Sequence, residues 1–122
     1  MKPRRNVLYL ILAIVIIIAL IIFMFLKRKT VIGDWTAELT DGYNTVTADF
    51  TFRKDGTGIQ NWYKENGTRY RSETFTYKLL DKERMIITEE DKEPEEWYYA
   101  FKDNKHFGIV DKYGFTIAFK RK

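Results

Sequence analysis

The sequence predicts an all-β protein, an eight-stranded antiparallel meander barrel, preceded by one transmembrane α-helix. The helix is predicted by a long, uncharged and strongly apolar run near the N-terminus. The strands are predicted by an alternation of apolar and polar residues from Gly33 onward, broken by turn residues about every 8–12 positions. All the links are short, so a meander that closes into a barrel is the simplest arrangement, with a two-sheet sandwich as the alternative.

The predicted transmembrane helix covers residues 7–26, which contain no charged residue, proline or glycine. As a helix this segment is about 30 Å long, the thickness of the hydrocarbon core of a bilayer. A cleaved signal peptide is the alternative, but Lys27-Arg28-Lys29 follows where small residues would mark a cleavage site. We therefore expect four segments: a short basic tail (1–6), the retained helix (7–26), a basic juxtamembrane linker (27–32) and the barrel (33–122).

The positive charge of the chain lies around the helix. Six Lys and Arg side chains flank it, whereas residues 30–122 carry 15 Lys and Arg against 17 Asp and Glu, a net charge of −2. A nucleic-acid-binding protein would carry its positive excess on the folded domain. The pattern therefore argues against nucleic acid and indicates the lipid bilayer as the partner of residues 7–26.

Membrane orientation is not decided by flanking charge, because three basic side chains lie on each side of the helix. A long C-terminal domain, however, crosses a membrane largely regardless of its charge. We therefore expect a single-pass protein of the cell membrane with a cytoplasmic N-terminus and an extracytoplasmic C-terminal domain.

Individual strands are clearest where one face is apolar and the other rich in threonine. Val46, Ala48, Phe50 and Phe52 alternate with polar residues and predict a strand with one buried face. Asp-Gly at positions 55–56 and Asn-Gly at 66–67 are typical of hairpin turns, since both supply the positive φ that such turns need.

Three segments carry a resemblance to a known family. They are Gly33-Asp34-Trp35, residues 50–58 (FTFRKDGTG) and residues 75–78 (FTYK). In this order, and over residues 33–120, the chain resembles the small lipocalin-like (calycin-like) domains of bacterial surface and secreted proteins, many of them of unknown function. The resemblance implies that Trp35 packs at the closed end of the barrel under a basic residue from the end of the chain, either Arg121 or Lys120. Gly33, Trp35 and Arg121 are accordingly expected to be structural residues of that closed end.

The same resemblance implies which end of the barrel faces the membrane. The first strand would begin at the closed end, three residues after Lys29. The turns at 54–57, 80–84 and 102–105 would then lie near the membrane. The loops at 40–44, 63–68, 89–96 and 111–114 would lie at the distal, open end.

Catalysis has little support in the sequence. The chain has one histidine, His106, and one serine, Ser72, on different predicted strands and without a nucleophile-elbow pattern. It has no cysteine and no second histidine for a zinc site, and the acidic segment 89–96 lacks the spacing of a calcium-binding EF-hand. We therefore expect no enzyme activity, no metal site and no cofactor.

Candidate ligand-binding residues come from the polar and aromatic side chains near the open end: Asn61, Tyr63, Arg71 and Trp97. If the fourth strand has no bulge, Arg71 shares a face with Phe75 and points inward. A buried arginine must be paired, so it would then hold an anionic ligand or a carboxylate such as Glu89. A bulge would instead turn Arg71 outward.

Three functions remain open. The first is a non-catalytic interaction or accessory module that meets an envelope protein through its distal loops, with Tyr43, Glu90, Glu93 and Tyr113 as candidate contacts. The second, the alternative, is a tethered binder of a small amphipathic or hydrophobic ligand. The third, least favoured, is an enzyme. A filled barrel would favour the first, an apolar cavity the second, and two convergent carboxylates in a cleft the third.

Overall fold

The computed structural model describes residues 2–26, 29–40 and 42–122, with the side chains of residues 6–23 in the first of these segments. Lys27 and Arg28 of the predicted linker, and Asp41 of the predicted loop 40–44, lie outside the described residues.

An N-terminal helix, α1, covers Lys2–Leu26. Its stretch Asn6–Phe23 has a mean hydropathy of 3.2 and no part of it is buried. The helix is thus long and apolar enough to cross a membrane, a property that anchors and signal sequences share.

Eight strands follow: β1 Gly33–Thr40, β2 Thr45–Phe52, β3 Thr57–Tyr63, β4 Arg69–Leu79, β5 Arg84–Glu89, β6 Glu95–Asp103, β7 His106–Val110 and β8 Thr116–Arg121. Each strand pairs antiparallel with the next, and β8 pairs with β1, so the sheet closes into a barrel. The predicted eight-stranded meander barrel is confirmed, and the sandwich alternative is wrong. Closure removes the free sheet edges that a sandwich of this size would expose.

The core lies inside the barrel and is built mainly from aromatic side chains. In β2, Ala48, Phe50 and Phe52 point inward and are buried, while the intervening residues face out. Phe50 packs against Phe119 with ring centroids 4.9 Å apart, and Phe52 packs against Phe75 at 5.3 Å. The buried hydrophobic residues are Val31, Trp35, Ala37, Ala48, Phe50, Phe52, Phe75, Met85, Ile87, Trp97, Tyr99, Phe107, Ile109, Ile117 and Phe119.

A meander places alternate connections at opposite ends of the barrel. Residues 29–32 lead into β1 at one end, which we call the tether end; it also carries the β2–β3, β4–β5 and β6–β7 turns and the end of β8. The other end, the distal end, carries the β1–β2, β3–β4, β5–β6 and β7–β8 connections. The candidate functional residues fall into two groups, one at each end.

Candidate functional site

Trp35 and Arg121 form the central contact of the tether end. Trp35 is fully buried, and its indole Nε1 donates a hydrogen bond of 2.7 Å to the carbonyl of Val31. The guanidinium carbon of Arg121 lies 4.1 Å from the centre of the Trp35 ring, a cation–π contact. The last strand of the barrel is thereby held against the first.

Arg121 also hydrogen-bonds to three backbone carbonyls. Its Nη1 donates to Ile32 at 2.9 Å, its Nη2 to Thr30 at 2.9 Å and its Nε to Asn104 at 3.0 Å. These bonds tie the end of the chain to the segment that precedes β1 and to the β6–β7 turn.

Gly33 leaves the space that Arg121 occupies. Its φ is +131°, and a Cβ built there would lie 2.5 Å from Nη1 of Arg121. The structure thus brings Gly33, Trp35 and Arg121 into one cluster. Lys120, the other basic residue considered for the contact with Trp35, is exposed and paired with Thr36 in the sheet.

A group of polar side chains, which we call the distal polar cluster, lies in the distal half: Gln60, Arg71, Glu73 and Glu89 face the interior, and the exposed Lys92 joins them from the β5–β6 connection. Arg71 Nη2 donates to Glu73 Oε2 at 2.8 Å and to Glu89 Oε2 at 3.1 Å. Lys92 Nζ lies 3.5 Å from the same Glu89 oxygen. The two carboxylates are thus brought together around one arginine.

Gln60 is the most deeply buried member of this cluster. It is only 2% exposed, and its Nε2 donates to Glu89 Oε2 at 3.3 Å. Its Oε1 accepts a bond of 2.8 Å from the indole nitrogen of Trp62. Both functional atoms of the buried amide are therefore satisfied, as a buried polar group requires.

The two carboxyls of the cluster titrate in opposite directions from their ordinary values. Burial, followed by the hydrogen bond with Glu73, raises the pKa of Glu89. The hydrogen bond from Arg71 lowers the pKa of Glu73, against a smaller opposing effect of burial. Glu89 is therefore the carboxyl that takes up a proton first as the pH falls.

Arg71 points inward because the bulge in β4 lies beyond it. Trp62 pairs with Arg71 but Tyr63 pairs with Arg69, so the register shifts at Tyr70. The pairing from Arg71 to Phe75 is regular, and both side chains face the interior. The positive charge of Arg71 is met by carboxylates of the chain itself, Glu89 among them.

Two of the four candidate ligand-binding residues do not face the interior. Phe50 pairs with Gln60 and Ala48 with Trp62, so Gln60 and Trp62 point inward and the residues next to them point outward. Asn61 accepts a bond of 2.7 Å from the hydroxyl of Ser72 on that outer face. Tyr63, paired with Thr47, lies on the outer face as well. The alternation of β3 therefore places Asn61 and Tyr63 on the other side of the sheet from Arg71 and Trp97.

The other two candidates, Arg71 and Trp97, do face the interior. Trp97 is buried, and its indole nitrogen donates to Glu95 Oε2 at 3.1 Å, while Lys112 pairs with Glu95 Oε1 at 3.2 Å. Sequence reasoning missed Gln60, which is polar in a mainly aromatic interior. The tight turn between β2 and β3 was the signal that could have shown that Gln60 faces inward. It pairs Phe52 with Gly58, and this register places Gln60 opposite the inward-facing Phe50.

The candidate partner-binding residues lie on three connections of the distal end. Tyr43 is 93% exposed and Tyr113 81% exposed, and Glu90 and Glu93 are exposed on the β5–β6 connection. The β1–β2 and β7–β8 connections are neighbours because β1 and β8 are paired. An open groove of about 470 Å³ also lies at this end, lined by Asn44, Val46, Lys64, Glu65, Asn66 and Tyr70.

The distal half of the barrel is strongly acidic. It comprises residues 37–50, 59–75, 87–100 and 108–118, which contain five Lys and Arg against twelve Asp and Glu. The domain's negative charge is thus concentrated at the end away from the helix.

The residue types that could serve catalysis or metal binding lie apart. His106 Nδ1 contacts Asp103 Oδ1 at 2.9 Å at the tether end, far along the barrel from Ser72. Asp49 faces outward and pairs with Lys122 at 2.7 Å. Among the residues that the structure describes, no group of three or more His, Asp or Glu side chains is arranged to hold a metal ion.

The closed antiparallel barrel behind one apolar helix fits a lipocalin-like fold. No family model matches the chain, and neither a curated protein nor a solved structure matches it. The resemblance to lipocalin-like domains therefore rests on the barrel topology and on the contacts of Gly33, Trp35 and Arg121.

Proposed function

We propose that this chain is a membrane-anchored, extracytoplasmic lipocalin-like protein whose barrel is a non-catalytic interaction module for another envelope protein. One observation carries the proposal: the interior is occupied by the protein's own side chains. Packed aromatic rings fill the half nearer the tether end, and the distal polar cluster occupies the other half. Binding then falls to the outside of the distal end.

The distal polar cluster argues against an interior ligand. Arg71, the group that would attract an anion, is already bonded to Glu73 and Glu89. Gln60 has both its amide oxygen and its amide nitrogen in hydrogen bonds. A ligand entering here would have to break these hydrogen bonds. Each buried polar group left without a partner would then add its desolvation free energy to the cost of binding.

The chemistry of the distal end suggests the kind of partner. Twelve acidic residues against five basic ones favour a basic protein surface. The exposed rings of Tyr43 and Tyr113 add aromatic area of the type that is enriched at protein interfaces.

The non-catalytic part of the proposal rests on how Glu73 and Glu89 are held. These carboxylates do converge, yet one oxygen of each accepts a bond from the same Arg71 nitrogen. The pair therefore neutralises a partly buried cation, which is a structural role.

Site-specific photo-crosslinking in intact cells tests the proposal. A photoreactive amino acid in place of Tyr113 should give a discrete crosslinked product, and the same substitution of Tyr98 should not. Tyr98 is the matched control, since it is 55% exposed but lies on the barrel wall, in β6. The double substitution Glu90→Lys and Glu93→Lys should remove most of the product. Equal crosslinking from Tyr98, or a product that survives the charge reversal, would contradict the proposal.

A second candidate function, a tethered binder of a small amphipathic or hydrophobic ligand, is favoured by the distal groove. Its volume of about 470 Å³ suits a small molecule, and Val46 and Tyr70 supply apolar surface. Native mass spectrometry of the full chain, released gently from detergent, separates the two functions. A reproducible extra mass that is lost on denaturation would support the ligand binder, and a bare mass the interaction module.

A further inference from the structure

The tether end of the barrel is as strongly basic as the distal end is acidic. It comprises residues 29–36, 51–58, 76–86, 101–107 and 119–122, which contain eleven Lys and Arg against five Asp and Glu. The excess arises on turns and strand ends that lie far apart in the sequence and meet only because the barrel closes.

Many of these cations face solvent without an internal partner. Seven lysines of this end are exposed and make no ion pair with any residue that the structure describes: Lys29, Lys54, Lys78, Lys82, Lys102, Lys105 and Lys120. Four of the five acidic residues here make local contacts, among them Asp34, which accepts a bond from Thr51. The fifth, Glu83, is exposed. Asp81 binds Arg84 and the backbone of its own turn, Asp103 contacts His106, and Asp55 accepts from Thr57. The unpaired charge that remains is therefore positive.

Apolar side chains lie among these lysines. Leu79 is 44% exposed and Leu80 is 43% exposed, at the end of β4 and in the turn that follows it. Lys78 and Lys82 flank the two leucines in sequence. Exposed leucines next to lysines are typical of a surface that binds a lipid headgroup layer. The apolar side chains enter that layer, and the lysine ammonium groups contact lipid phosphate.

The chain itself brings this surface to a membrane. Lys29 lines the same open groove as Leu79, Leu80 and Lys82, a groove of about 780 Å³. Its lining also includes Asp81, which is paired with Arg84, and Glu83. From Leu26, the last residue of α1, to Gly33, the first of β1, the chain can extend by at most about 25 Å. The tether end therefore stays within reach of the headgroups wherever α1 spans a bilayer.

We propose that the tether end is a lipid-docking surface, on which the barrel rests against anionic headgroups of the bilayer that holds its own helix. Leu79 and Leu80 enter the interface, and the surrounding lysines contact lipid phosphate. The acidic distal end is repelled by the same surface, so docking holds the barrel upright with its distal loops away from the membrane. This inference requires α1 as the anchor but not the protein partner proposed above.

The test uses single fluorescent labels, which are specific because the chain has no cysteine. The full chain is reconstituted into vesicles whose lipids carry a quenching headgroup, made of phosphatidylcholine alone or with phosphatidylglycerol added. Asn104→Cys reports from the tether end and Thr68→Cys from the distal end; both are exposed, uncharged turn residues. Co-flotation with the vesicles at high salt, where electrostatic docking is screened, shows that α1 is inserted in each sample.

Docking predicts that quenching of the label in Asn104→Cys is much stronger in anionic than in neutral vesicles and declines at high salt. The label in Thr68→Cys should be quenched weakly in both. A triple charge-reversal variant of the Asn104→Cys chain carries Lys82→Glu, Lys102→Glu and Lys105→Glu. In it the quenching should no longer depend on anionic lipid, since each lost lysine lowers the ratio of docked to free barrel by about fivefold. Lys64→Glu at the distal end is the matched control and should change nothing.

Equal quenching of the Asn104→Cys label in neutral and anionic vesicles would overturn the proposal, because a short tether alone predicts that result. Quenching that persists in the triple charge-reversal variant would overturn it as well. The tryptophan fluorescence melting transition checks that this variant is folded, since Trp35, Trp62 and Trp97 all belong to the barrel.

Discussion

At the scale of single residues, Arg121 performs three structural roles with one side chain. It covers the face of the buried Trp35 ring, fills the space that Gly33 leaves, and supplies donors to three backbone carbonyls. Two of those carbonyls belong to the segment before β1, where no sheet partner is available for them within the described ladders. Arg121 thus substitutes for part of a β-ladder where the barrel closes.

Arg121→Ala is expected to lower the free energy of unfolding by about 2–3 kcal/mol, because it removes charge-assisted hydrogen bonds and a cation–π contact together. Arg121→Lys should recover less than half of the loss, since a lysine cannot present the same fork of donors. Thermal or urea unfolding of the full chain in detergent, followed by tryptophan fluorescence, measures this. The control is Lys120→Ala, an exposed neighbour whose removal should cost less than about 0.5 kcal/mol. Equal effects at the two positions would contradict the role assigned to Arg121.

Glu73 and Glu89 are neighbours whose opposite pKa shifts have opposite consequences for stability. The folded-state pKa of Glu89 is raised, so the folded protein keeps that proton to higher pH, and stability falls as the pH rises from the unfolded pKa through the folded one. The folded-state pKa of Glu73 is lowered, so its contribution is present above the unfolded pKa and is lost as the pH falls through the folded one.

The matched substitutions Glu73→Gln and Glu89→Gln should therefore change the pH dependence of unfolding in opposite senses. Relative to the unsubstituted chain, Glu73→Gln should lose stability as the pH rises across the acidic range, and Glu89→Gln should gain it. Urea unfolding at a series of pH values, with tryptophan fluorescence as the signal, gives both slopes. Slopes of the same sign would show that Arg71 does not distinguish the two carboxyls.

At the scale of the strands, β3 and β4 approach each other closely at Gly58. This glycine points into the barrel opposite Phe75, and a Cβ there would lie 2.3 Å from the Phe75 ring and 2.6 Å from the carbonyl oxygen of Thr51. Neither the ring, packed against Phe50 and Phe52, nor the carbonyl can move far. Gly58 is thus required by packing, although its sequence context also resembles a hairpin.

Gly58→Ala is expected to destabilise the barrel by about 2–3 kcal/mol through overpacking. Gly108→Ala is the matched control: it also lies within a strand, but its added Cβ would meet Ile117 oxygen at an ordinary 3.6 Å. That substitution should be close to neutral or slightly stabilising. The melting temperatures of the two variants, measured side by side, test this prediction. Similar decreases in melting temperature would mean that close packing against Phe75 is not the reason for a glycine at position 58.

The strands also show which local features could be read from the sequence. The apolar face of β2 and the Asp-Gly and Asn-Gly turns follow from alternation and turn chemistry, which are local properties. The facing of β3 did not follow, because Gly58, Gln60 and Trp62 are not a uniformly apolar face. The bulge at Tyr70 has no signal of its own and appears only in the pairing of β3 with β4.

At the scale of the whole molecule, charge is divided between the two ends of the barrel. The tether end is basic and the distal end acidic, although the domain as a whole is nearly neutral. Such a separation of charge gives the barrel an electric dipole along its axis. It agrees with the proposed arrangement, in which the basic end meets lipid and the acidic end meets protein.

The proposed topology predicts that the distal end is reachable from outside the cell membrane. In intact cells that express the chain, the Thr68→Cys variant should react with a membrane-impermeant maleimide, and the protein should stay in the membrane after an alkaline carbonate wash. A cysteine introduced at Lys2, the first residue of α1 and thus at the end of the helix away from the barrel, is the control and should react only after the cells are opened. The reverse labelling pattern would place the barrel in the cytoplasm.

The sequence by itself determined the one apolar helix, the eight strands and the meander, because hydrophobic period and turn chemistry are written in neighbouring residues. Only the tertiary structure decided that Arg121 rather than Lys120 covers Trp35, that Asn61 and Tyr63 face outward, and that Arg71 is met by two glutamates. These outcomes depend on register between strands far apart in the chain. A shift of one residue in register reverses every side chain of a strand, and nothing within that strand alone records it.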